Sequence, residues 1–219
     1  MRLHLAIAAL LSGVLVDVPL AYAESDNPDY SAQAATCVVD KKINVAFQFL
    51  ETMPQDRTDK DKRRISDILS RCVSESGMYF GVFGDQTLAF EIAKIIMVRN
   101  YGSANLDFSQ APPLKRPEVA KPFGPLLVRS AEEREQSARR SATLMTFGEC
   151  VVRGSYAHAH ALLLSAPYSD EESRQARDLQ GSFDLCLGTS PIDTEHSDVR
   201  GAMALAYVRM ARAIERSAR

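Results

Sequence analysis

Four cysteines, Cys37, Cys72, Cys150 and Cys186, constrain this 219-residue chain more than any other feature, because they stand in two frames of nearly equal length. Cys37-Val38-Val39 recurs as Cys150-Val151-Val152, and Pro54 and Pro167 each follow their first cysteine by 17 residues. The second cysteine follows the first after 35 residues in one frame and 36 in the other. Between these marks the positions agree in kind: Ile43 with Tyr156, Ala46 with Ala159, Phe49 with Leu162, and Leu50 with Leu163. Four cysteines permit three pairings, and an exported chain in an oxidising compartment is expected to pair them.

Periodicity selects among the pairings. Val39, Ile43, Ala46, Phe47, Leu50 and Met53 recur at spacings of three and four, the period of a helix that ends near Pro54. Thr58-Asp59-Lys60-Asp61 reads as the start of a second helix, with Ile65, Ile68, Leu69 and Cys72 on one face. In the second frame, Ser169-Asp170-Glu171-Glu172 supplies a cap and its glutamate, and Leu179, Phe183 and Cys186 form the stripe. Folding each pair about its turn gives arms of equal length, so both cysteines lie level at the open end of an antiparallel hairpin. Helix axes at ordinary packing distance bring facing Cα atoms to roughly 4–6 Å, within reach of a disulfide. The expected bonds are therefore Cys37 to Cys72 and Cys150 to Cys186.

A third helical segment follows each hairpin. Leu88, Ile92, Ile95, Ile96 and Met97 mark one, and Val199, Ala202, Met203, Ala206 and Tyr207 mark the other. Residues 103–136 separate the two halves and carry Pro112, Pro113, Pro117, Pro122 and Pro125, which exclude a continuous helix there, although a helix resumes near Ala131. The expected fold is all-α, with two pseudo-repeats of a disulfide-clamped helical hairpin plus a third helix joined by a proline-rich linker. The expected organisation is a signal peptide over 1–23, a disordered tail over 24–32, repeat 1 over 33–102, the linker over 103–136, and repeat 2 over 137–219. The two repeats are expected to pack as one domain.

The chain opens with Met1-Arg2-Leu3-His4, an apolar stretch from Leu5 to Val16, and Ala21-Tyr22-Ala23, the order of a secretory signal cleaved after Ala23. The apolar stretch is about half the length that a membrane span requires. Cleavage takes away one cation, Arg2, and one anion, Asp17, so the formal charge stays at −2. That balance gives no reason to expect a nucleic-acid partner. The expectation is a periplasmic or secreted protein with no integral membrane span after cleavage.

The segment Phe147-Gly148-Glu149-Cys150-Val151-Val152-Arg153, with Ala159, Ala161, Leu162 and Leu163 behind it, resembles uncharacterised exported proteins of sphingomonad-type alphaproteobacteria that carry paired Cys-Val-Val helical repeats. The resemblance covers mainly the second half. It implies a periplasmic location and no particular activity.

Three places invite a functional reading. Tyr79, Phe80 and Phe83 lie among the glycines of Gly77-Met78-Tyr79-Phe80-Gly81-Val82-Phe83-Gly84 and would either line a pocket for an apolar ligand or plug the open end of the first hairpin. Arg209, Arg212 and Arg216 recur at helical spacing near the C-terminus and would either meet an anionic partner or complement the helix dipole. His158 and His160, two apart on a helix, point about 200° apart and cannot share one ion, so no metal or other cofactor is expected. The cysteines lack the C-x-x-C spacing of redox or zinc motifs. Gly-x-Ser-x-Gly, His-Glu-x-x-His and Ser-x-x-Lys motifs do not occur in the chain. The expected function is a non-enzymatic periplasmic interaction or accessory protein with an unknown protein or envelope partner. The alternatives are a carrier of a small apolar ligand near Tyr79, Phe80 and Phe83, and an enzyme with an unrecognised site.

Overall fold

The computed structural model describes residues 30–52, 58–75, 85–104, 106–115, 130–188 and 196–218. Among them every regular element is a helix: α1 Tyr30–Glu51, α2 Asp59–Glu75, α3 Asp85–Tyr101, α4 Ala131–Gly154, α5 Tyr156–Leu164, α6 Asp170–Asp178, α7 Gln180–Leu187 and α8 His196–Ser217. The signal segment 1–23, the loop holding Tyr79, Phe80 and Phe83, and the later linker prolines lie outside the described residues.

Both hairpins close as the equal arms require. Cys37 bonds Cys72 and Cys150 bonds Cys186, each across a Cα–Cα distance of 5.7 Å. Each bond closes a loop of about 36 residues, which on the chain-entropy account is worth roughly 4 kcal/mol. Thr58 opens α2 as expected: its Oγ1 accepts from the Asp61 amide at 3.2 Å, and Asp61 Oδ2 accepts from the Thr58 amide at 3.2 Å. Gln48 of α1 donates to Asp61 Oδ1 at 2.7 Å and ties that end of the hairpin together.

The two halves share a further detail. Lys42, five residues after Cys37, leaves helical geometry at φ −153° and ψ 66°, and kinks α1. Ser155, five residues after Cys150, does the same at φ −147° and ψ 51°, separating α4 from α5. The helix count nevertheless departs from the expected three in the second half, which has five among the described residues. The second arm of the first hairpin is the single helix α2, whereas that of the second breaks at Leu179 into α6 and α7.

Helices α3 and α8 pack along each other at the centre, with α1 outside α3 and α4 outside α8. One cluster of buried residues runs through all of them, from Ala34 and Val38 through Ile92, Ile96 and Val151 to Met203 and Met210, so both halves share a core. Close approach depends on glycine. A Cβ on Gly148 of α4 would overlap the Ala202 carbonyl of α8, and one on Gly201 would enter the Phe90 ring of α3.

Two expected boundaries move. Residues 30–32, expected in a disordered tail, are the first turn of α1. Ser31, Ala34, Ala35 and Val38 fall at helical spacing and are all buried, so small residues extend the inward stripe upstream of the cysteine. Residues 131–136, placed in the linker by the bound at 136, belong to α4, which begins at Ala131 where a helix was expected to resume. Within the linker, Phe108 and Ala111 are buried, because the Phe108 ring packs edge-on against Tyr207 at 4.7 Å.

Candidate functional site

The stripe Arg209, Arg212 and Arg216 does not form one exposed cationic face. Residues 200–211 of α8 are buried on every side, as expected for a run in which Ala202-Met203-Ala204-Leu205-Ala206-Tyr207-Val208 is apolar all round. Arg209 sits inside this stretch at 6% exposure, and its Nη2 donates to the Lys115 carbonyl at 3.1 Å. Burial lowers its pKa to about 10, against the opposing pull of Glu149, so the guanidinium stays charged at neutral pH.

Glu149 and Arg153 of α4 complete a clasp on the same strap of chain. Glu149 Oε1 accepts from the Leu114 amide at 3.0 Å and from Arg153 Nε at 3.0 Å. Arg153 donates from Nη1 to the carbonyls of Phe108 at 3.3 Å and Ala111 at 2.8 Å, and from Nη2 to that of Pro112 at 2.6 Å. Proline lacks an amide and Pro112-Pro113 cannot join a helix, so the strap's carbonyls need outside donors, which a planar guanidinium supplies.

Arg212 and Arg216, beyond the buried stretch, share one carboxylate. Arg212 Nε meets Glu51 Oε1 at 2.9 Å, and Arg216 Nη1 bonds Glu51 Oε2. Arg212 Nη1 also reaches Glu215 Oε2 at 2.6 Å, while its guanidinium lies 4.4 Å over the Phe47 ring. Tyr101 donates to Glu215 Oε1 at 2.9 Å, and burial together with that carboxylate pushes the Tyr101 phenol up. Two arginines thus face two glutamates, and the group joins the ends of α1, α3 and α8.

A buried ion pair, not anticipated from the sequence, joins Arg200 of α8 to Glu172 of α6, at 7% and 3% exposure. Arg200 Nη1 also donates to the Leu162 carbonyl at 2.9 Å, and Nη2 to those of Leu163 at 3.2 Å and Ser165 at 3.0 Å. It therefore caps the end of α5, whose last carbonyls have no partner within the helix. Glu172 is the glutamate of the expected capping box, and its amide donates to Ser169 Oγ at 3.1 Å. Its carboxylate turns to the Tyr168 amide at 2.6 Å and to Arg200. The box was legible in the sequence; the arginine 28 residues away was not, because only tertiary packing brings it there.

The histidines diverge as their spacing requires. His160 meets the Tyr101 carbonyl at 3.0 Å and stacks near Tyr207 at 5.5 Å, whereas His158 turns outward to Gln175 at 3.3 Å. Among the described residues no group of His, Cys, Asp and Glu is placed to hold a metal. An apolar cavity lies between α1, α2 and α3, lined by Val38, Val45, Phe49, Ile65, Ile68, Leu69, Leu88 and Ile92. The space open to the centre of a water-sized sphere is about 10 Å³, room for about one water and far less than a small-molecule pocket.

No family model, curated protein or solved structure matches this chain. Two disulfides, and the absence among the described residues of a helix long and apolar enough to cross a membrane, fit an extracellular or periplasmic protein.

Proposed function

We propose that this chain is an exported, non-enzymatic interaction or accessory protein, delivered through the 1–23 signal to the periplasm or the exterior. One observation carries the proposal: the interior cations serve construction. Arg153, Arg200 and Arg209 all donate to backbone carbonyls of the chain itself, and Glu149 and Glu172 accept from its own amides and arginines. Charged groups held in this way stiffen a frame and are already committed, unlike catalytic groups poised for a substrate. The work then falls to the outer surface, where Leu185 of α7 and Val98 of α3 are exposed apolar side chains and Arg216 is half-exposed.

Site-specific photo-crosslinkers at Leu185, Val98 and Arg216, placed in the exported protein in its own envelope, test this reading. A discrete protein adduct at one position and not the others is the expected result. A stoichiometric small molecule retained in the native mass spectrum would replace the proposal with the carrier reading. Turnover that survives purification to a single species would replace it with an enzyme.

A further inference from the structure

The outermost helix of the first half is attached differently from its counterparts in the second. Among the α2 residues whose burial is described, only Cys72 is buried, at 1% exposure, while Ile65, Ile68 and Leu69 are half-buried. Helix α2 packs on α1 and meets α3 across an incompletely filled apolar seam. The second half has buried anchors besides its disulfide, since Leu179 between α6 and α7 is wholly enclosed and Glu172 of α6 is paired with Arg200, while the half-buried Phe183 of α7 lies 5.5 Å from Phe147.

We infer that the Cys37–Cys72 disulfide is a redox-sensitive latch on α2, and that opening it frees α2 and uncovers an apolar groove between α1 and α3 while the rest of the fold stays intact. The groove floor is Val38, Val45, Phe49, Leu88 and Ile92, all buried while α2 is in place. The reductant is a dithiol. Cys37 is the more exposed partner, so one thiolate of the dithiol attacks its Sγ, the S–S bond breaks, and Cys72 leaves as a thiolate that takes up a proton. The dithiol's second sulfur then attacks the mixed disulfide, releasing Cys37 as a thiol and the reductant as its own disulfide. After that step the described attachments of α2 include the Gln48–Asp61 hydrogen bond and three half-buried aliphatic side chains. An exposed, strongly polar helix of this length is marginal without tertiary support.

Hydrogen exchange on the full mature chain decides the matter, comparing the wild type with the Cys37→Ser/Cys72→Ser and Cys150→Ser/Cys186→Ser variants. In the first variant, amides of 59–75 should lose protection by about tenfold or more while 85–101 and 196–217 keep theirs. The dye 8-anilinonaphthalene-1-sulfonate should gain fluorescence on that variant as the groove opens. In the second variant, 170–187 should change less than 59–75 does in the first. Unchanged protection of 59–75 overturns the inference, and so does loss of protection throughout the chain, since a latch leaves the frame standing. Wild-type protein titrated with dithiothreitol gives the same readout without mutation: protection of 59–75 should fall in step with thiol labelling of Cys37 and Cys72. Full opening of that bond with 59–75 still protected would also overturn the inference.

Discussion

Tyr168 is the one described residue other than glycine with a left-handed backbone, at φ 61°, and its side chain is exposed. A bulky side chain is disfavoured there, and the conformation persists because the Tyr168 amide is held by Glu172, itself held by Arg200. Tyr168→Gly should therefore stabilise the protein by about 1 kcal/mol, read as a higher urea midpoint. Arg200→Met should have the opposite effect, by about 3–5 kcal/mol, because it leaves Glu172 buried without its cation and strips the cap from α5. Adding Glu172→Met should recover part of that loss, and a double-mutant cycle in urea measures how much. The left-handed site, the cap and the ion pair are thus one structure. Only the cap, Ser169 with Glu172, was legible in the sequence, because a capping box is local and an ion pair across two helices is not.

Helices approach each other here through small residues, and identical substitutions should have opposite signs according to what faces them. Gly148 of α4 lies against the Ala202 backbone, which cannot move aside as a side chain would, so Gly148→Ala should cost about 1–3 kcal/mol. Gly181 of α7 has open space where a Cβ would lie, so Gly181→Ala should add roughly 0.5–1 kcal/mol by restricting the unfolded chain. Thermal melts of the two variants beside the wild type check both signs. The elements themselves were readable from three- and four-residue spacing, including α1, α2, α3 and α8. The break at Leu179 was not, since Leu179 sits in the apolar stripe as any core residue would. The kinks at Lys42 and Ser155 were equally hidden, and nothing in the chemistry of a lysine explains the first.

Across the whole molecule, α8 runs through the core beside α3, and each carries a buried tyrosine, Tyr207 on α8 and Tyr101 at the end of α3. Burial raises Tyr207 to about 12, and burial with the neighbouring Glu215 raises Tyr101. An unfolded chain ionises its tyrosines near pH 10, so the folded form holds these protons where the unfolded form releases them. Stability from both groups is complete below about pH 10 and should fall as pH rises from there through 12. Phenolate absorbance from these two should appear together with loss of helical circular dichroism. Tyr207→Phe should flatten the alkaline limb of the stability curve.

Local pattern by itself determined the helical class, the hairpin arms and the partner of each cysteine, because helical period and equal arm lengths are properties of short stretches of chain. The tertiary structure alone decided what the charges do. Arg209, Arg212 and Arg216 read as one stripe on an isolated helix, yet Arg209 holds the linker from inside the core and the other two close on Glu51. Whether an arginine faces water or a backbone carbonyl depends on which distant segment lies over it, and neither spacing nor composition carries that information.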